Sequence, residues 1–222
     1  MNGAPGTVGA DCEFDHLIVG AHTLEQGAAF IEDLLGVRPQ AGGRHLAMGT
    51  HNMLLRLGAR AFLEVIAIDP AGETPPRPRW VGLDDERTRR QLRAEPRLLT
   101  WAVRTRDIGL AVKNCPIAPG TVHPMSRGTF TWRITIPDDG APICGGLLPT
   151  VIQWDGDAHP ADRLEDRGCD LVKLEGFYST PANIAPALAA LGLDHELTLA
   201  AADRASLTAT IKAPRGNRVI TS

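Results

Sequence analysis

The sequence predicts an α+β protein assembled from repeated β-α-β-β-β modules. Three observations carry this. Residues 14 to 21 alternate with a period of two, Phe14, His16 and Ile18 on one face and Leu17, Val19 and Ala21 on the other, as a strand does. The strand runs into a helix-start signal, Thr23-Leu-Glu-Gln26, with Thr23 as N-cap and Gln26 placed to reach back. The same strand-to-helix order returns late in the chain, where laying Gly36 on Gly192 carries Thr23 onto Ser179.

The first unit spans 12–69. Its helix ends at Gly36, a residue suited to a left-handed C-cap. Leu24, Ala28, Ile31, Leu34 and Leu35 form one stripe that must pack on a sheet. A strand near Val37 to Gln40, a turn at Gly42-Gly43, a long strand from His45 to Leu57 and another from Arg60 to Ile68 complete the unit. Residues 70–97 are a connector, Pro-rich at first, then a short charged helix from Leu83 to Ala94 whose arginines read as a solvated face. A second, degenerate unit, 98–160, holds strands Leu98–Arg104, Thr129–Ile136 and Leu147–Trp154 with a helix from Asp107 to Lys113. A third block, 170–222, reads as strand Leu171–Phe177, helix Thr180–Leu191 and strands His195–Ala200, Ser206–Lys212 and Asn217–Thr221. Residues 1–11 read as a disordered tail.

Composition narrows the function classes. A formal net charge of -3, with the basic residues spread along the chain, gives no footprint for nucleic acid. No window approaches the roughly 18 apolar residues of a membrane span, and the N-terminus lacks a signal-peptide pattern, so a cytoplasmic protein with no membrane partner is expected. Cys12, Cys115, Cys144 and Cys169 form no C-x-x-C pair and read as idle thiols. P-loop, nucleophile-elbow and dinucleotide fingerprints are absent from the sequence, so NTPase, hydrolase and dehydrogenase readings have no support.

Phe14-Asp-His-Leu-Ile-Val, the capped helix ending Leu-Leu-Gly36-Val, and Phe62-Leu-Glu-Val-Ile66 on a closing strand resemble the vicinal oxygen chelate superfamily, which includes glyoxalase I, extradiol dioxygenases and bleomycin-resistance proteins. Gly42-Gly-Arg-His45 with Gly49-Thr-His-Asn52 looks like the glyoxalase-like domain proteins. The resemblance covers 12–69, continues through Pro149 to Asp155 and His159-Pro160, and fades beyond Asp170. It implies that paired modules curl a mixed sheet into a cup with helices on its outer face. It also implies a divalent metal (Zn, Ni, Mn or Fe) at the floor, held from the first and last strands of the modules, which maps onto His16 and Glu64.

Strand alternation agrees with that pairing. If Leu17, Val19, Leu63 and Val65 face the helix, His16 and Glu64 share the opposite face. A carboxylate there needs a cation or hydrogen-bond donors. The alternative is a His16–Glu64 hydrogen bond in a site without metal. Aligning Leu24 with Ile108 puts Thr100 where a second His16 would stand, and the closing strands put Gln153 opposite Glu64. Gln153 is tolerable as a metal ligand; threonine is a poor one. In an unbroken strand His45 and His51 share a face, and one of them, His51 above all, would complete a 2-His-1-carboxylate set. Arg44, His45 and Asn52, in the recognisable motif, and His159, on a loop past a strand end, are candidate substrate contacts. Arg56 and Arg133 are further candidates to receive a carboxylate.

The expected function is therefore action on a small oxygen-rich metabolite inside the cup. The chemistry is metal-assisted lyase or isomerase chemistry, or dioxygenase chemistry, with His16 and Glu64 catalytic. The rival is a metal-free protein that sequesters a small ligand. A third reading is a scaffold whose exposed sheet edges make a homodimer.

Overall fold

The computed structural model describes residues 11–222, and the expected tail lies outside them apart from Asp11. Twelve strands among these residues form two sheets. The larger contains β1 (Glu13–Gly20), β2 (Gln40–His45), β3 (Thr50–Arg56), β4 (Phe62–Ile68), β5 (Arg97–Arg104), β6 (Thr121–Arg127), β7 (Phe130–Ile136) and β8 (Thr150–Trp154). Their order is β2-β3-β4-β1-β5-β8-β7-β6, two mirrored sets of four joined along the antiparallel β1–β5 pair. The sheet curls strongly, so that its end strands β2 and β6 touch.

Local sequence explains why the first set forms. Thr23 caps helix α1 (Leu24–Leu35) by accepting from the Gln26 amide, and Gly36 closes it at φ 75°. The Gln26 side chain reaches back to the His22 N–H, one residue before the cap. Ala28, Ile31 and Leu35 of α1 are fully buried against Leu17, Val19, Leu63 and Val65 on the convex face. Helix α3 (Ile108–Asn114), capped by Asp107, does the same for the second set.

Three expectations change. The Gly42-Gly43 turn is instead a bulge inside β2: Ala41 lies opposite Met53 and Arg44 opposite His51, so two glycines face Asn52 alone. The long strand from His45 is broken by a 3-10 turn at Leu46–Met48, which puts His45 and His51 on different strands. Strand β6 was not expected, because its sequence, Thr-Val-His-Pro-Met-Ser-Arg, mixes polar residues and a proline at an edge where alternation need not be strict.

Strands β9 (Asp170–Tyr178), β10 (Thr198–Ala201), β11 (Ser206–Ala213) and β12 (Gly216–Thr221) make the smaller sheet, ordered β10-β9-β11-β12. Here the opening strand pairs in parallel with the strand just after helix α4 (Ala185–Ala190). In the first set β1 pairs in parallel with the last strand, β4. The small sheet adds nothing to the cup. Leu174, Leu207, Ala209, Ile211 and Ile220 join the convex-face core instead. Helix α2 (Glu86–Ala94) sends Leu92 into the inner cluster with Ile18 and Leu99, while α1, α3 and α4 lie on the convex side.

Candidate functional site

The concave face is a largely apolar cup of about 770 Å³, counting its open mouth. Ile18, Phe62, Ile66, Trp132, Ile152 and Trp154 are among its walls, and His16, His45, Glu64, Thr100 and Arg127 are among its polar groups. All of these but Trp154 and Arg127 are buried.

The floor is built around an irregularity in β1. Phe14 lies opposite Val103 and His16 opposite Ala102, so Asp15 is an extra residue in the ladder. Instead of turning to the helix side, the Asp15 side chain lies beside His16 and is wholly buried. Its Oδ1 meets His16 Nδ1 at 2.5 Å, and its Oδ2 accepts from Trp154 Nε1 at 2.9 Å and meets His159 Nε2 at 3.0 Å. Burial alone would raise the Asp15 carboxyl, but the hydrogen bonds from His159 and His16 outweigh it and hold it well below the usual carboxylate range. An ionised carboxylate only accepts, so both ring nitrogens facing it carry protons. His159 Nδ1 accordingly accepts from the Ala161 N–H. His16 is stacked on Phe62 with ring centroids 4.4 Å apart, and its Nε2 is the ring nitrogen turned away from Asp15.

That nitrogen faces Glu64 Oε2 at 3.8 Å. Glu64 is fixed on its other side: Oε1 accepts from Asn52 Nδ2 at 2.6 Å. The Asn52 amide is itself oriented by the β2 bulge, since its Oδ1 accepts from the Gly43 N–H at 2.8 Å. Its Nδ2 also lies 3.4 Å from His45 Nε2, and His45 Nδ1 lies 3.1 Å from Thr50 Oγ1. Burial pushes the His45 imidazole down to about 4, with Glu64 opposing, so His45 is neutral near pH 7.

The glycine pair has a concrete purpose. A Cβ on Gly42 would stand 2.0 Å from Asn52 Oδ1. Gly42→Ala is thus expected to push the amide off Glu64 and destabilise the fold by about 1–3 kcal/mol, the usual range for overpacking. Denaturant unfolding checks this, and an unchanged midpoint would mean that the bulge relaxes freely.

The sequence profile of the family described as a glyoxalase-like domain matches residues 14–192. This chain belongs to the glyoxalase-like domain family. The match takes in both halves of the cup and the His159 turn. Comparison with curated proteins gives no match. Among solved structures, a hypothetical protein from Staphylococcus aureus is similar at TM-score 0.61 and 14% identity over 87% of each chain. Methylmalonyl-CoA epimerase from Mycobacterium tuberculosis gives 0.42 at 16% identity, covering 70% of this chain and 94% of that one. A variant of 4-hydroxymandelate synthase from Streptomyces coelicolor gives 0.39 at 13%, covering 96% and 63%. At such identities likeness speaks for the fold alone, and the first structure is the one that supports it.

In this glyoxalase-like cup the two halves differ. Ile18 pairs with Glu64 in the first, and Ala102 with Thr150 in the second. Laying one pair on the other places Thr100 at the position of His16 and Thr150 at that of Glu64. Gln153, expected there, points the opposite way and accepts from the Ile108 N–H at the start of α3. The preceding Leu147–Pro149 segment is irregular, which shifts the register from that expected. His51 pairs with Ala67 and Arg44, on the convex side, away from Glu64. Arg44 donates to Asp69 Oδ2 at 2.5 Å and to the Ala71 carbonyl, outside the cup. Arg56 is spent on the Gly58 and Leu164 carbonyls. His159 is wholly buried beneath the floor instead of lying at the rim, and His45 is inside the cup, not at its mouth.

A metal at the floor would need three or four donors. His16 Nε2 and Glu64 Oε2 offer two. The remaining nearby acceptors, His45 Nε2 and Glu64 Oε1, face the Asn52 NH₂ group. Thr100 Oγ1 donates to the Gly146 carbonyl. Among the described residues no group of three or more His, Cys, Asp or Glu is spaced to hold a metal ion. The residues present do not fit the ligand set that the superfamily resemblance implies.

Sequence reasoning missed Asp15, Arg127 and Trp154. For Asp15 a signal existed: strict alternation sends it to the helix face between Phe14 and Leu17, where a carboxylate has no place.

Proposed function

We propose that this glyoxalase-like protein is an enzyme that moves a proton at a carbon next to a carbonyl in a small, oxygen-bearing molecule, an isomerase or lyase reaction, with Glu64 and His16 as the acid–base pair. One observation carries the reading. His16 Nε2 and Glu64 Oε2 converge at 3.8 Å on the floor of an apolar cup, each tethered on its far side. A gap of that length is too wide for a direct hydrogen bond and leaves both atoms open to a ligand. In an α-hydroxy ketone, Glu64 Oε2 accepts the proton from the α-carbon, the C–H pair forms the new carbon–carbon double bond and the carbonyl π pair moves onto its oxygen. His16 Nε2 takes the hydroxyl proton for delivery to that oxygen, with Asp15 holding the imidazolium that forms in between. Return of the protons at the neighbouring carbon and oxygen completes the isomerisation.

The test is deuterium wash-in from D₂O, followed by NMR, into hydroxyacetone, dihydroxyacetone and 2-hydroxyacetophenone, using chelator-treated protein. Exchange by the wild type and its loss by about 100-fold or more in Glu64→Gln is the expected result. Exchange that needs added Mn²⁺, Zn²⁺, Ni²⁺ or Fe²⁺ would restore the metal-assisted reading. Absence of exchange under every condition, with these compounds still bound, would leave the sequestering protein.

A further inference from the structure

A second concavity lies outside the cup, between β2 and the turn joining β6 to β7. It encloses about 1100 Å³ counting open solvent, and three arginines line it, Arg44, Arg127 and Arg163, with no aspartate or glutamate. Arg44 is already spent on Asp69. The other two differ. Among the described residues neither the Arg127 nor the Arg163 guanidinium has a hydrogen bond or an ion pair; each lies over the Phe130 ring, at 5.9 Å and 4.4 Å from its centroid. Arg127 is half-buried, its stem packed where Gly43 leaves room, and burial lowers its pKa, with Glu64 across the cup opposing. A guanidinium removed from water without a hydrogen-bonded anion is costly, which makes it a receptive partner for one. Arg127 also lines the inner cup, so the groove and the cup meet at its side chain.

We propose that this groove is an anion subsite: it holds the carboxylate or phosphate group of the substrate between Arg127 and Arg163, while the uncharged remainder passes Arg127 into the cup. The inference rests on the reading of the cup as a small-molecule site and narrows its substrates to organic anions. The chemistry fits the two side chains. A guanidinium presents paired N–H donors to two oxygens of a carboxylate or phosphate, and the shared Phe130 ring keeps the two guanidinium groups on one side of the groove. The three glycines Gly42, Gly43 and Gly128 leave the groove walls low, so that an anion meets the arginines without displacing side chains. The apolar walls of the cup then suit the rest of the molecule.

The experiment is a titration of the full chain, followed by tryptophan fluorescence, with phenyl phosphate, phenylacetate and the neutral benzyl alcohol. Tighter binding of at least one anion over benzyl alcohol, by about tenfold or more, is expected, as is weakening with added salt. Inorganic phosphate alone should compete. Which anion binds better distinguishes a phosphate ester from a carboxylic acid as the source. Arg163→Met, at an exposed position, should weaken the anions about tenfold and leave benzyl alcohol unchanged, and Arg127→Met should weaken the anions about tenfold relative to benzyl alcohol. Equal affinity for all three probes, no anion binding at millimolar concentration, or full anion affinity in both variants would overturn the proposal. If Arg127→Met fails to fold, Arg163→Met alone decides. Glu64→Gln separates this inference from the reading beneath it: the variant should keep its affinity for the anions while losing proton exchange.

Discussion

Replacing Asp15 by alanine is expected to cost about 3–5 kcal/mol of stability, the range seen when one partner of a buried charged cluster is removed. The carboxylate accepts from His16, His159 and Trp154, and the first two of these rings, with Asp15 itself, are among the buried groups. Its loss leaves three donors facing a void. For a chain of this length the melting temperature should fall by about 2–4 °C per kcal/mol. The sign with pH follows from the depressed carboxyl: the stabilisation is present above the ordinary carboxylate pKa of 3.8 and disappears as pH falls below it. Trp154→Phe, which removes one donor and leaves the carboxylate, should cost about 1 kcal/mol. A drop of less than about 1 kcal/mol in Asp15→Ala would mean that the bulge does not depend on its buried charge.

His45 should make the protein acid-sensitive at a higher pH than Asp15 does. Its imidazole is pushed from 6.5 down to about 4 by burial. Above pH 6.5 it is neutral whether the chain is folded or not, and nothing changes. Between pH 6.5 and about 4 the unfolded chain binds a proton that the folded one refuses, so stability falls as pH falls. At about 1.4 kcal/mol per pH unit, the full loss across that window is roughly 3 kcal/mol. The His45→Asn variant should be less stable near pH 7 yet flatter in this window. Denaturant unfolding at successive pH values measures both. An equal slope in the two proteins would assign the acid sensitivity to another group.

Much of the architecture was written in short-range signals. Thr23 and Gly36 fix α1 by capping chemistry that acts within a turn, and the alternation around Leu17 and Val65 reads directly as one buried face. His16 and Glu64 share a face for the same reason. What escaped was every feature that depends on a one-residue slip. The bulge at Asp15 turns a residue that strict alternation would send to the helix face into the anchor of the floor, and the bulge at Gly42-Gly43 looks like a turn in sequence. The 3-10 turn at Leu46–Met48 breaks a run of β-compatible residues, moving His51 to the far side. Arg127 was unreadable for another reason. Its strand, β6, lies at the far edge from β2, and only the closing curl of the sheet brings the side chain beside Gly43 and within electrostatic reach of Glu64.

The small sheet behind the cup has a mechanical consequence. The two halves of the large sheet meet along β1 and β5, a seam that would serve as a natural hinge. Residues 169–222 bind both sides of it. Gly58 donates to the Cys169 carbonyl and Cys12 to that of Leu191 in the first half, while Ala205 packs at Gly145 and the Ala187 carbonyl meets Cys115 in the second. A layer fastened across a joint acts as a splint. The aperture between the halves is therefore stiff, and adjustment to a bound molecule falls to the rim: the β6–β7 hairpin and the Pro137 to Pro149 segment, which line the two concavities.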